Sequence, residues 1–164
     1  MGLPALLATL SFSATSLSGA DILLDEASVT ATENAIMAAV TAKGTTTIRN
    51  AASEPHIQEL CHFLNGMGAQ ISNVGSNTLY IHGVPKLHGT EFTIGPDYLE
   101  VVSLIGAAVV THGSIKIHNA APHYLDMIAM VFSRLGVKWD VDGNSVVVPA
   151  DQALEIQADL GDAI

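Results

Sequence analysis

Two stretches of the chain carry nearly the same succession of apolar and polar positions. Residues 38–51 read AAVTAKGTTTIRNA, residues 107–120 read AAVVTHGSIKIHNA, and seven of the 14 positions are identical without a gap. In each stretch, apolar residues at helical spacing give way, after a glycine, to a pattern typical of a strand. A repeat period of roughly 70 residues is longer than that of common solenoids, which indicates a duplicated supersecondary unit.

Each copy predicts the same order of elements: a first helix, a strand, a second helix and a β-hairpin, preceded by a short leading strand. The predicted ranges, first copy and then second, are leading strands 22–24 and 91–94, first helices 31–42 and 98–111, strands 45–50 and 114–119, second helices 55–66 and 123–135, and hairpins 69–82 and 137–148. Gly44 and Gly113 occupy positions where a glycine commonly ends a helix.

The first helix of each copy is apolar nearly all round, whereas the second helix carries a single apolar stripe. A helix that is apolar on every side is typical of a protein interior, so we expect buried helices with sheets outside them. Cys61 falls on the apolar stripe of its helix, which predicts a core thiol rather than a nucleophile. The predicted fold class is α/β, built from two repeated α-β-α-β-β units.

Charge and composition argue against several functions. Sixteen acidic and six basic residues give a net charge of −10. The basic residues form no cluster, so we expect neither nucleic acid nor an anionic membrane surface as a partner. We also expect no metal and no cofactor, because the seven histidines show no metal-ligand spacing and no glycine-rich phosphate loop occurs.

The cysteine count and the first residues bear on the location of the protein. A single cysteine forms no internal disulfide, which fits a cytoplasmic protein. No apolar run reaches the length of a transmembrane helix. Residues 1–19 carry no charged side chain and lack the basic residue that opens a secretory signal, so we expect a leader or the remnant of a strand there.

Three predicted helix starts carry the polar residues on which chemistry could depend. In the first, Ser28 or Thr30 can cap the helix, and Thr30 with Glu33 fits a capping box. Free amide groups and the positive end of the helix dipole can bind a phosphate at such a start. A plain cap explains the same residues, and the carboxylate of Glu26 would repel an anion.

At the other two helix starts, capping is a better explanation of the polar residues than catalysis. Ser53 can cap the second helix of the first copy, and Glu54 and His56 lie in its first turn. In the second copy, Asp97 is the expected cap and Glu100 lies three residues further on. Their pattern alone predicts no catalytic residue.

Several segments of this chain, taken together, resemble the UDP-N-acetylglucosamine enolpyruvyl transferase (UDP-GlcNAc 1-carboxyvinyltransferase) family. The resemblance rests on SVTATENAIMAAVTAKGTTTIRNAASEPHIQELCHFLNGMGAQI, on GV-x-x-LHG at residues 83–89, and on IGPDYLE followed by AAVVTHGSIKI. It implies an inside-out α/β barrel of two domains, each with three units around buried helices. Residues 20–89 would then form the last unit of one domain and residues 90–164 the first unit of the other, joined at residues 83–89.

The resemblance also implies an activity and a site. The family transfers the enolpyruvyl group of phosphoenolpyruvate to the 3-hydroxyl of UDP-N-acetylglucosamine in peptidoglycan synthesis. The implied sugar-nucleotide contacts are Glu26, Ala27, Ser28, Val29 and Thr30, and the implied acids of the cleft are Glu54, Asp97 and Glu100. No position matches a catalytic residue of the family, so we expect a central fragment of a cytoplasmic transferase that is inactive by itself.

Departures from the family pattern keep two alternatives open. Many members carry a basic residue where this chain has Glu26 and an arginine where it has Tyr98, and both changes remove positive charge from an anion-binding cleft. A stand-alone, non-catalytic α/β module that binds a nucleotide sugar or a protein fits the same elements. So does a fragment of the related shikimate-pathway transferase. A fragment of either enzyme would leave apolar faces exposed and could self-associate through them.

Overall fold

The computed structural model describes residues 13–155, which divide into two units after Phe92. Both units combine helices with an open β-sheet, and from the first helix of each copy onwards their helices and strands follow the order that the repeat predicts. Of the predicted leader, residues 1–12 lie outside the described residues, and Ser18 forms a parallel bridge to Lys43. Each unit has a separate sheet with its own helices.

The first unit contains a four-stranded sheet and two helices. Its elements are β1 (Asp21–Leu23), α1 (Val29–Ala39), β2 (Thr45–Arg49), α2 (Pro55–Gly66), β3 (Gln70–Ser72) and β4 (Thr78–His82). The strands are ordered β1-β2-β4-β3. β1 runs parallel to β2, whereas β4 is antiparallel to both β2 and β3.

Alternation of apolar residues along the strands explains which face of this sheet the helices cover. Ile48, Leu79 and Ile81 are buried in one cluster with Ile36 of α1 and Cys61 of α2. The strand residues between them are exposed or half-buried, because successive side chains point to opposite faces of a sheet. Burial raises the pKa of the Cys61 thiol to about 11, and the prediction that Cys61 belongs to the core is confirmed.

The second unit has a three-stranded sheet, and from its first helix onwards it repeats the order of the first unit. Its elements are α3 (Tyr98–Val110), β5 (Ile115–Ile117), a 3-10 helix (Pro122–Tyr124), α4 (Asp126–Ser133), β6 (Asp140–Asp142) and β7 (Ser145–Val148). The strands are ordered β5-β7-β6, and both pairs are antiparallel. The core joins Val101 and Ile105 of α3 to Ile117, Val146 and Val148 of the sheet.

Two elements predicted for the second copy differ in the structure. Residues 91–94 form no strand, because no described strand pairs with them, and Phe92 packs instead against Phe63 with ring centroids 5.4 Å apart. The second helix begins at Asp126 rather than at residue 123. Ala121 takes a left-handed φ of 44° and directs the chain into the 3-10 helix first.

The ends of the first helices also differ between the copies. Gly44 has a φ of 89°, in the left-handed region that favours glycine, but it lies four residues after Val40, the C-cap of α1, so the prediction that Gly44 ends this helix was wrong. In the second copy, His112 takes the left-handed position with a φ of 55°, and the prediction for Gly113 was wrong. The amides of His112 and Gly113 donate to the carbonyls of Val109 and Ala108. This pattern closes a Schellman motif, which places the left-handed residue directly after the helix cap.

α1 and α3 are each buried on one face within the described residues, and not on all sides as their composition predicted. Each helix packs against the sheet of its own unit, and one sheet covers only one side of a helix. Met37 of α1 and Leu104 of α3 are exposed, and Val110 is 70% exposed. None of the helices between residues 13 and 155 is both long enough and apolar enough to cross a membrane.

The predicted joint at residues 83–89 begins in close contact with the first unit. The Gly83 amide donates to the carbonyl oxygen of Gly44 at 2.9 Å. A side chain at Gly83 would collide with the carbonyl oxygen of Ala42, so this close approach requires glycine. The boundary between the two units follows later in the chain, after Phe92.

Candidate functional site

The parallel pair of β1 and β2 creates one sheet edge at which two loops begin. The strands run in the same direction with Leu23 paired to Arg49, so their carboxyl ends lie side by side. Residues 24–28 lead from this edge to α1, and residues 50–54 lead from it to α2. Ligands of α/β proteins commonly bind beyond the carboxyl ends of parallel strands. We refer to these two segments as the carboxyl-edge loops.

Ser28 ends the first carboxyl-edge loop and caps helix α1. Its Oγ accepts a hydrogen bond from the Ala31 amide at 3.4 Å, and its own amide donates to the carbonyl of Glu26 at 2.8 Å. Thr30 lies inside the helix, with its Oγ1 3.5 Å from Ser28 Oγ. Of the two predicted caps, Ser28 is the one used. The capping box predicted for Thr30 and Glu33 is not formed, because the helix begins before Thr30.

The first turn of α1 combines backbone donors with one opposing charge. The amides of Val29 and Thr30 have no acceptor within the helix, because no carbonyl of the helix precedes them by a full turn. Such amides, at the positive end of the helix dipole, can bind an oxyanion. The side chain of Val29 packs against the core, whereas Glu26 and Ala27 are exposed. The carboxylate of Glu26 adds negative charge to the loop and weakens its attraction for an anion.

Two side chains tie the carboxyl-edge loops together. Nδ2 of Asn50, a residue with a left-handed φ of 57°, donates to the carbonyl of Leu24 at 3.1 Å. Oγ1 of Thr32 donates to the carbonyl of Ser28 at 2.7 Å and accepts from the amide of Ala52 at 3.0 Å. Sequence reasoning missed Thr32. The available signal was a polar residue four positions after the cap, at the start of a helix that is otherwise largely apolar.

The second carboxyl-edge loop ends at Glu54, immediately before Pro55 opens α2. Glu54 occupies the cap position without a hydrogen bond from its side chain, so the prediction that Ser53 caps this helix was wrong. The carbonyl of Ser53 accepts instead from the side-chain amide of Gln58 at 2.8 Å. Oε2 of Glu54 is buried and has no hydrogen-bond partner among residues 13–155. A buried polar atom without a partner costs free energy, which a bound ligand could offset. His56, two residues after Glu54, is half-buried.

Asp97 and Glu100 lie at the start of α3 in the second unit. Asp97 accepts a hydrogen bond from the Leu99 amide at 2.9 Å, which confirms it as the cap, and Glu100 lies in the first turn. Both acids are exposed. The predicted site residues therefore fall into two groups. Residues 26–30 and Glu54 lie on the carboxyl-edge loops and the adjoining first turn of α1 in the first unit, and the remaining two acids lie in the second unit.

Positive side chains are scarce near the carboxyl-edge loops. Arg49 ends β2, and its Nε pairs with Oδ1 of Asp21 at 2.9 Å, with both side chains about half exposed or more. Between residues 13 and 155, no group of three or more His, Cys, Asp and Glu side chains is arranged to hold a metal ion. Binding of an anion at these loops would therefore depend on backbone amides.

Enolpyruvyl transferases are among the solved structures that match this fold. The crystal structure of the enolpyruvyl transferase NikO from Streptomyces tendae matches 87% of this chain and 37% of its own, with a TM-score of 0.75 and 28% sequence identity. EPSP synthase from Acinetobacter baumannii matches 82% of this chain and 32% of its own, with a TM-score of 0.57. At 18% identity, the second match supports the fold alone. The predicted fold class is confirmed.

The chain belongs to the family described as EPSP synthase (3-phosphoshikimate 1-carboxyvinyltransferase), whose family model matches residues 5–162. A relative from Treponema denticola named UDP-N-acetylglucosamine 1-carboxyvinyltransferase is 56% identical over 154 residues, which cover 94% of this chain and 36% of the relative. One of the same name from Bradyrhizobium diazoefficiens is 51% identical over 152 residues, covering 93% and 35%. The resemblance inferred from the sequence is confirmed, and the chain spans about a third of the length of these relatives.

Proposed function

We propose that this chain supplies part of the sugar-nucleotide site of a UDP-N-acetylglucosamine 1-carboxyvinyltransferase. In this proposal the whole protein transfers the enolpyruvyl group of phosphoenolpyruvate to the 3-hydroxyl of UDP-N-acetylglucosamine, a step of peptidoglycan synthesis. The observation that carries the proposal is the 56% identity to a relative of that name. Identity to the EPSP synthase structure is only 18%, which favours the UDP-sugar over a shikimate substrate.

The first carboxyl-edge loop supports binding of the diphosphate at residues 26–30. The proposed contacts are Glu26, Ala27, Ser28, Val29 and Thr30. Ser28 Oγ already accepts from the Ala31 amide, so the donors offered to a phosphate are the backbone amides ahead of it in the first turn. The loop follows the carboxyl end of a parallel strand, which is the common place for a nucleotide in an α/β fold.

Three further acids, Glu54 in the first unit and Asp97 and Glu100 in the second, are proposed to contact substrate in the whole protein. Glu54 has a buried carboxylate oxygen without a partner in the described part of the chain, which suits a group that meets a hydroxyl of the substrate. Asp97 and Glu100 are exposed at the start of α3, where a ligand can reach them. None of the three is proposed as a catalytic residue.

We also propose how the two units of this chain belong to the domains of the full-length protein. Residues 20–89 form the last unit of one domain, and residues 90–164 form the first unit of the other. Stabilising a phosphoryl or carboxylate group needs clustered positive charge, so in this proposal catalysis depends on parts of the protein beyond this chain. The isolated chain self-associates through apolar residues such as Val110, which is 70% exposed. A cytoplasmic location fits its single, buried cysteine.

Calorimetric titration of the purified chain with UDP-N-acetylglucosamine tests the proposal, with shikimate 3-phosphate as the control ligand. We expect saturable binding of the UDP-sugar and no binding of shikimate 3-phosphate. Binding of shikimate 3-phosphate alone would support a shikimate-pathway transferase. A cooperatively melting monomer or defined dimer that binds neither ligand would contradict the proposal and support a stand-alone module.

A charge variant in the first carboxyl-edge loop sharpens this experiment. Glu26→Gln removes a negative charge beside the proposed diphosphate, so we expect it to tighten binding by about two- to fivefold at low salt, with the gain fading at high salt. Glu91→Gln removes one exposed carboxylate outside these loops and serves as the matched control. Equal effects of the two variants would indicate a general charge effect and not a contact at residue 26.

A further inference from the structure

Thr32 stands out because it is a polar side chain in the interior of the first unit. Within the described part of the chain, the buried polar residues are Thr32 and Thr46, and Thr32 has no exposed surface. Both neighbours of its hydroxyl belong to the carboxyl-edge loops. It donates to the carbonyl of Ser28 and accepts from the amide of Ala52. One side chain therefore bridges a helix start and a loop 20 residues further along the chain.

At the equivalent position of the second unit, the side chain has no hydroxyl. In the alignment of the repeats, Thr32 corresponds to Val101, which is also buried, and Ala52 corresponds to Ala121. Ala121 lies in the left-handed region with a φ of 44°, where a side chain is strained, whereas Ala52 does not. The loop after β2, which is bonded to the Thr32 hydroxyl, and the loop after β5 thus follow different backbone paths from equivalent residues.

We propose that Thr32 is a positioning residue for the sugar-nucleotide site. By bonding to Ser28 and Ala52 at once, it holds the first turn of α1 at a defined distance from the loop that carries Glu54. A ligand that contacts both loops then meets a preformed arrangement and does not have to order it on binding. This inference rests on the proposed binding of UDP-N-acetylglucosamine at residues 26–30.

Three variants separate positioning from general stability. Thr32→Val replaces the hydroxyl by a methyl group, and Thr32→Ser keeps the hydroxyl while deleting a methyl group. Thr46→Val is the matched control, because Thr46 is 4% exposed and lies near the amino end of β2, away from the carboxyl edge. Urea unfolding of each variant first establishes the conditions under which it is fully folded.

The first readout is the affinity for UDP-N-acetylglucosamine, measured by calorimetry on folded protein. We expect Thr32→Val to weaken binding at least tenfold, Thr32→Ser to stay within about threefold of the parent, and Thr46→Val to leave affinity unchanged even where it lowers stability. A folded Thr32→Val variant with the parent's affinity would overturn the proposal. If that variant does not fold, Thr32→Cys, which keeps a weak donor and acceptor, takes its place with an intermediate loss expected.

The second readout does not need a ligand, so it separates failure of this inference from failure of the proposed function. Amide exchange and backbone chemical shifts report on both loops directly. We expect Thr32→Val to speed exchange of the Ala52 amide at least tenfold and to shift the amide signals of Val29 and Thr30, with Thr46→Val changing neither. Unchanged signals at Val29 and Thr30 would refute positioning. Absence of UDP-sugar binding by the parent chain would refute the proposed function instead.

Discussion

The two units repeat one sequence pattern, yet the equivalent asparagines in them form hydrogen bonds with different partners. Asn50 and Asn119 occupy equivalent positions, and both have left-handed backbones with φ angles of 57° and 53°. Nδ2 of Asn50 donates to Leu24, just beyond β1. Asn119 instead accepts from Nδ2 of Asn144 at 2.7 Å, in the hairpin turn. The turn itself is therefore a local property of the sequence, whereas its partner depends on which strand lies beside it.

The presence of a leading strand explains this difference. In the first unit, β2 lies between β1 and β4, and the parallel partner creates the carboxyl edge with its two loops. In the second unit, β5 pairs only with β7 among the described strands, so its other edge has no parallel neighbour. The parallel strand ends on which the proposed site depends are accordingly present in the first unit.

The largest effects on stability are expected where the two units are alike, in the packing of the first helix against its sheet. Ile36 and Ile105 are equivalent and have no exposed surface. Ile36→Ala and Ile105→Ala each delete buried methyl and methylene groups and leave a cavity, so we expect each to lower the free energy of unfolding by about 2–5 kcal/mol. Urea denaturation followed by circular dichroism measures both losses.

The surface residues Met37 and Ser103 provide controls on the same helices, since both are exposed. Met37→Ala and Ser103→Ala should change the free energy of unfolding by less than about 1 kcal/mol. A large loss for Ile36→Ala and a negligible one for Ile105→Ala would mean that the repeat preserves the pattern of residues but not the packing.

A smaller effect should distinguish the two asparagines. Glycine accepts a left-handed backbone, so Asn→Gly removes the side-chain hydrogen bond without forbidding the turn. Asn50→Gly loses a partly buried bond to Leu24 and should cost about 1 kcal/mol. Asn119→Gly loses an exposed bond to Asn144 and should cost only a few tenths of a kcal/mol. Thermal unfolding of the two variants under identical conditions measures the difference, and equal losses would contradict the role given to the leading strand.

The smallest effects are expected at two exposed ion pairs, one taken from each unit. Arg49→Met breaks the pair with Asp21 and should cost less than about 1 kcal/mol. In the second unit, a hydrogen bond from Lys116 and its positive charge lower the pKa of Asp142. A carboxyl whose pKa is lower in the folded than in the unfolded state stabilises the fold above its unfolded pKa, and this contribution is lost as the pH falls.

Urea unfolding of the parent and of Lys116→Met between pH 7 and pH 2 checks the acid dependence. We expect the parent to lose slightly more stability on acidification than the variant, because only the parent has the pair to lose. Added salt should shrink the difference at neutral pH, since exposed charges are screened. A difference that persists unchanged in high salt would argue that Lys116 acts through packing of its aliphatic chain.

The sequence by itself determined the repeat, the order of helices and strands from the first helix of each copy onwards, and the family. These follow from local periodicity and from long strings of residues that need no knowledge of packing. Asp97 as a helix cap and Cys61 as a core residue were predictable for the same reason. A cap depends on the few residues that follow it, and an apolar stripe identifies the buried face of a helix.

Only the tertiary structure decided which residues meet from distant parts of the chain. The hydrogen bond between Thr32 and Ala52 joins positions 20 residues apart, and it exists because two parallel strands bring their following loops to one edge. The strand predicted at residues 91–94 did not form, because a strand needs a neighbour to satisfy its backbone, and periodicity reports no neighbour. Composition carries no information on neighbours either. It predicted burial of α3 on all sides, whereas the surfaces available to cover this helix decided which face is buried.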